Sequence, residues 1–152
     1  MSWRVTVADA ARPAMRLLPR GVGRILSLIG GGPHSQIWRD SRRRHRVYFD
    51  RSLNAWLSVD LAEWFGRLQY YSGRYYDHDV PHLIRTFLGA GDTFIDIGAH
   101  YGMHTLCAAR HVGAAGTVFA FEPNPQSFSL LRAHLAINRI DNVIAENVGV
   151  SD

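Results

Sequence analysis

Two carboxylates close two short apolar runs. Asp96 ends the stretch begun by Thr93-Phe94-Ile95, and Glu122 follows Thr117-Val118-Phe119-Ala120-Phe121. Between them, Asp96-Ile97-Gly98-Ala99-His100-Tyr101-Gly102 forms a D-x-G-x-x-x-G turn. An acid at the end of a buried strand is costly unless a ligand or partner engages it. A glycine lets the backbone approach that ligand closely. The pattern predicts a strand over 93–97, a helix from about Tyr101 to His111 and a second strand over 117–121. Strand, glycine turn, helix and acid-terminated strand is how a doubly wound α/β fold holds a nucleoside across the carboxyl ends of its strands.

The kind of nucleoside follows by elimination. A dinucleotide turn needs G-x-G-x-x-G, but counting from Gly98 the later glycine positions hold His100 and Met103. A phosphate loop needs a lysine, and all seventeen basic residues here are arginine. A glycine turn led by a carboxylate suits a ligand with cationic groups at that point, such as the ammonium and sulfonium of S-adenosylmethionine. Asp96 would face the cationic end, Gly98 would let the backbone close on the methionine moiety, and Gly102 would allow entry into the helix. Glu122 would accept the ribose hydroxyls through charge-assisted bonds of roughly 1.5–3 kcal/mol each. The competing reading, glycines serving only a turn, leaves the second strand-end acid without a role.

The stretches GDTFIDIGAHYGMHTLCAAR, GTVFAFEPNP and LLRAHLAINRIDNVIAENVGVSD resemble the FkbM family of S-adenosylmethionine-dependent methyltransferases. The similarity covers about Arg74 to Asp152, with a weaker echo from Val47. Its most distinctive piece is FEPNP followed by a helix ending in L-x-x-N. The resemblance implies an α/β, Rossmann-like class I methyltransferase fold and methylation of hydroxyl oxygens on sugars, glycans or polyketide-like products. It places Asp96, Gly98, Ala99, His100 and Gly102 in the cofactor turn, Glu122 on the ribose and Asn124 beside the adenosine. His100 stands where the family usually shows Asn, and His104 where an aromatic residue is common. It further implies strand order 3-2-1, so that this chain holds the amino-terminal half of the sheet. A partial domain with little methyl transfer of its own is expected, with an open strand edge that favours self-association.

Charge divides the chain. Residues 1–46 hold ten Arg against two Asp, and residues 47–152 hold seven Arg against eleven acids. The expected organisation is a basic, partly helical leader (1–46), an α+β appendage (47–90) and the cofactor-binding part (91–152). Apolar residues from Ala8 to Ile29 recur at helical spacing, with Pro13 and Pro19 breaking any single long helix. Packing of this leader on the main domain is favoured over the alternative, a weak membrane-surface contact of its basic face. The run Arg42-Arg43-Arg44-His45-Arg46 reads as a solvated loop, and no nucleic-acid partner is expected. No apolar run approaches the ~20 residues of a spanning helix, and a cytoplasmic location is expected. Cys107, the only cysteine, reads as a small buried hydrophobe.

Further strands are expected over 47–50, 55–59 and 142–148, and helices over 61–71 and from residue 80 or 81 to 88. His78/His82 and His100/His104 each lie four apart, but no third ligand is identifiable and no metal is expected. Tyr75-Tyr76-Asp77 falls where family members approach their acceptor, a small-molecule or glycan hydroxyl. No catalytic base is assigned, His100 and Asp77 being the candidates. The competing class is a non-catalytic nucleoside-binding or interaction module, which would bind an adenosyl ligand without turnover.

Overall fold

In the computed structural model, the described residues are 3–17, 31–32, 34–39 and 44–151. They form two units, Met1–Arg51 with Leu57–Tyr76, and Ser52–Trp56 with Asp77–Asp152.

The second unit is built on three parallel strands, β3 (Thr93–Ile97), β4 (Thr117–Phe121) and β5 (Val143–Glu146), in the order β3-β4-β5. With α3 (Asp79–Phe87), the helices of this unit are α4 (Met103–Val112), between β3 and β4, and α5 (Pro125–Ile137), between β4 and β5. Right-handed crossovers through strands laid down in one direction put both helices on the same face. Asp96 is in register with Ala120, and Val118 and Ala120 are fully buried there. The opposite face carries Ile95 and Ile97, 59% and 64% exposed, and Ile144. Among the described residues no helix covers that face, whereas parallel sheets are ordinarily covered on both.

Both strands of the motif have the bounds read from the sequence. The helix after the turn begins at Met103 rather than Tyr101, because Gly102 has φ 81° and helical dihedrals start after it. β5 is shorter than expected at both ends, stopping at Glu146 rather than Val148. Glu146 O accepts the Glu122 amide, and the Asn147 side chain then turns to the carbonyls of Glu122 (2.7 Å) and Pro123 (3.1 Å).

In the first unit, β1 (His45–Asp50) pairs with β2 (Ala55–Asp60), whose first two residues belong to the second unit. Alternating burial along β2, with Ala55, Leu57 and Val59 inside, follows the two-residue period of a strand. α2 (Trp64–Ser72) starts later than the expected Leu61. Asp60 Oδ1 accepts the Ala62 amide and Asp60 O the Glu63 amide, making a turn first. Arg67 is buried and donates to the carbonyls of Leu61 (2.6 Å), Ala62 (3.0 Å) and Gly32 (2.8 Å).

The leader's first helix, α1 (Trp3–Met15), begins before Ala8 and keeps Pro13 in its last turn rather than breaking there. It packs within its unit through Arg12, whose guanidinium lies 3.8 Å from the Tyr70 ring centroid and donates to Tyr70 O. Asp9 meets both Arg46 (3.2 Å) and the Tyr71 hydroxyl (3.3 Å). The apolar residues expected to continue the leader, Leu18 to Ile29, lie outside the described residues, as do Arg42 and Arg43. No helix among the described residues is long and apolar enough to cross a membrane.

Candidate cofactor site

The site is assembled where β3 and β4 end. After β3 the chain bends over the end of β4, with the amides of Gly98 (2.8 Å) and Ala99 (3.0 Å) both donating to Phe121 O. The next amide, His100, donates to Glu122 Oε2 at 2.7 Å, and the Asn124 amide donates to Glu122 Oε1 at 2.8 Å. Glu122 is 6% exposed, so these bonds compensate the burial of its charge. Each carboxylate oxygen has a further lone pair beyond the backbone amide it accepts.

The two glycines differ in what they allow. Gly98 has φ 79°, and a Cβ there would meet nothing within 4 Å. This is an open approach to the backbone above the strand ends. Gly102 has φ 81°, and a Cβ there would clash with Leu131 Cδ1, so this glycine lets α5 pack against the turn. His100 also lies in the left-handed region, at φ 52°, and its ring stacks on Tyr101 at 3.7 Å.

Asp96 is held from the helix side. The Thr105 hydroxyl, fully buried on α4, donates to Asp96 Oδ2. His134, buried on α5, donates from Nδ1 to Tyr101 O at 2.7 Å. A carbonyl only accepts, so Nδ1 carries the proton. Neither Thr105 nor His134 was singled out in the sequence. The available signal was a polar residue inside an otherwise apolar helical stripe, Leu131-His134-Leu135 in the second case.

Asn124 caps α5. Its Oδ1 accepts the amides of Gln126 and Ser127, both at 3.0 Å, with Pro125 opening the helix. Its backbone amide is what reaches Glu122. The asparagine of L-x-x-N, Asn138, pairs with Trp56 on both sides, Nδ2 donating to O (2.7 Å) and Oδ1 accepting from N (2.8 Å).

The two histidines spaced four apart do not act as a pair. His104 Nε2 lies 3.3 Å from Asp77 Oδ2, while Asp77 Oδ1 caps α3 through the amides of Asp79 and Val80. Among the described residues no group of three His, Cys, Asp or Glu could hold a metal ion. Cys107 is buried as expected, and burial pushes its thiol up from the ordinary range.

Strand order, glycine turn and strand-end acid define a Rossmann-like, class I methyltransferase fold. Residues 96–152 match the model of the methyltransferase FkbM domain, and this part of the chain is similar to that family. Among solved structures, TYW2 of M. jannaschii in complex with AdoMet is similar at 16% identity and TM-score 0.52, covering 69% of this chain and 43% of that one. TYW2 of P. horikoshii in complex with MeSAdo is 17% identical at TM-score 0.51, covering 70% and 36%. A SAM-dependent O-methyltransferase of Thermotoga maritima is 27% identical at TM-score 0.45, covering 48% and 28%. The chain thus spans less than half the length of each. No curated protein matches it.

Proposed function

We propose that this chain binds S-adenosylmethionine at the turn between β3 and α4 and serves methyl transfer to a hydroxyl oxygen of a sugar, glycan or polyketide-like acceptor. The observation that carries the cofactor is the double hold of Glu122 on the His100 and Asn124 amides, beside the open approach over Gly98. That hold presents a charged acceptor already oriented, with lone pairs to take both ribose hydroxyls. Asp96, oriented by Thr105, faces the cationic end of the cofactor. When bound, the cofactor supplies an electrophilic methyl group.

A hydroxyl acceptor needs its proton removed as the new bond forms. His104, oriented by Asp77, is the group we assign to this step. The carboxylate holds the imidazole in one orientation, and the imidazole takes the proton.

Calorimetric titration with S-adenosylhomocysteine tests the cofactor reading. Glu122→Ala is expected to weaken binding tenfold or more, about 1.4 kcal/mol. A folded chain that fails to bind overturns it. His104→Ala is expected to lower turnover on a hydroxyl acceptor while leaving that affinity unchanged.

A further inference from the structure

The last turns of α3 and α4 bring Arg85, Arg110 and His111 to one cleft of about 290 Å³. Ser52 and Asn54, from the loop joining β1 and β2, also line it. These residues are separate from those of the glycine turn.

Neither guanidinium, nor the His111 ring, has a carboxylate partner among the described residues. Arg85 Nη1 donates to Cys107 Sγ at 3.5 Å, Arg110 Nη2 to Asn138 Oδ1 at 3.0 Å, and His111 Nε2 to Leu88 O at 2.9 Å. Among the described residues no acid lines the cleft. Cys107, on its wall, contributes no negative charge, because burial keeps its thiol protonated. Basic residues in a last turn do offset the helix dipole, and that role alone is the competing explanation. The dipole places only about half a negative charge at each helix end. Two guanidinium groups outweigh the two helix ends, so the cleft stays positive without a counter-charge.

Planar guanidinium forks match the oxygens of a tetrahedral oxyanion, two at a time. The Ser52 hydroxyl and Asn54 amide add neutral groups to the same wall. The volume lies at the lower limit of the ~300–1,000 Å³ common for small-molecule sites, a size for a phosphate carried on a small organic group. We propose that this cleft is a binding site for the phosphate group of a small phosphorylated molecule, held by Arg85 and Arg110 and independent of the cofactor turn.

The test is calorimetric titration of the full chain with inorganic phosphate and with glycerol phosphate, at constant ionic strength. Saturable binding of both is expected, weakened about tenfold or more by Arg85→Gln and by Arg110→Gln. Arg132→Gln, an exposed arginine on α5, is expected to leave it unchanged. Arg85→Lys keeps the charge at the end of α3 without the fork, and is expected to weaken phosphate binding while leaving the unfolding midpoint in place. Absence of saturable binding overturns the proposal. So does an equal loss in Arg132→Gln, which would report net charge alone. So does Arg85→Lys or Arg85→Gln binding phosphate as well as the unaltered chain.

Discussion

The Glu122 carboxylate accepts the backbone amide of His100 at 2.7 Å, tying the acid that ends β4 to the turn that follows β3. His100 sits at φ 52°, a conformation that costs a non-glycine residue roughly 1–2 kcal/mol. A hydrogen bond to a charged group contributes about 1.5–3 kcal/mol, enough to offset that strain. The acid therefore has a structural task before any ligand arrives, and a substitution there has two effects that separate cleanly.

Glu122→Gln keeps one carbonyl oxygen for the turn and loses the charge. We expect it to lower stability by about 1 kcal/mol and S-adenosylhomocysteine affinity by tenfold. Glu122→Ala removes both amide partners and is expected to destabilise by about 2–3 kcal/mol. Urea unfolding beside the titration separates the two effects. Equal stability of the two variants would show that the turn does not depend on this acid.

The glycines of the turn are expected to respond differently to alanine. At Gly102 the new Cβ adds a clash with Leu131 to the left-handed strain, roughly 1–2 kcal/mol for the backbone and about 1–3 for the overpacking. At Gly98 the space is open and only the backbone cost applies. Gly102→Ala should be the less stable protein, and Gly98→Ala the one whose main loss is adenosyl-ligand binding. Thermal unfolding of both variants checks the order.

Asn138 joins the end of α5 to the backbone of Trp56 and also accepts from Arg110. Asn138→Ala leaves these groups to water and is expected to destabilise by about 1–3 kcal/mol. Asn138→Asp keeps the acceptor oxygen but turns a carboxylate toward the Trp56 carbonyl, and should recover little of the loss. Urea unfolding of both variants is the measurement.

Alkaline pH should weaken the fold. Burial is the leading cause that raises the Tyr48 and Tyr71 hydroxyls above their ordinary 10.0 and the Cys107 thiol above its ordinary 9.0. Asp50 and Asp9, which accept from the two tyrosines, push in the same direction. In the unfolded chain these groups lose protons first. Their stabilisation is therefore complete below about pH 9 and is lost as pH rises through and beyond 9–10. Chemical denaturation from pH 8 to 11 should show that fall, shallower in Tyr48→Phe and Tyr71→Phe. A flat profile would contradict the burial of these hydroxyls.

Among the described residues β3 is the edge of its sheet, and it carries Ile95 and Ile97 on the exposed face. An open edge beside an apolar face is a template for another chain. Sedimentation velocity is expected to show concentration-dependent association, reduced by Ile95→Lys and Ile97→Lys.

The strands 93–97 and 117–121, the turn between them and the acid at the end of the second were legible in the amino-acid order. A short apolar run flanked by glycine and closed by a carboxylate has few other structures open to it. The buried face of α2 was not legible in the same way, because Gly66, Arg67 and Gln69 are buried there while Phe65 is 55% exposed. Boundaries were also less legible. α4 had to wait for Gly102 to leave the left-handed region, and the turn made by Asp60 delayed α2. Partners were decided by the tertiary structure alone. His104 spaces itself with His100 yet meets Asp77, Asn138 meets Trp56, and Arg85 and Arg110 share a cleft. Each such meeting depends on how α3, α4, α5 and the loop before β2 are laid together in space. Sequence spacing records where an element can form, and packing chooses the neighbour it is buried against.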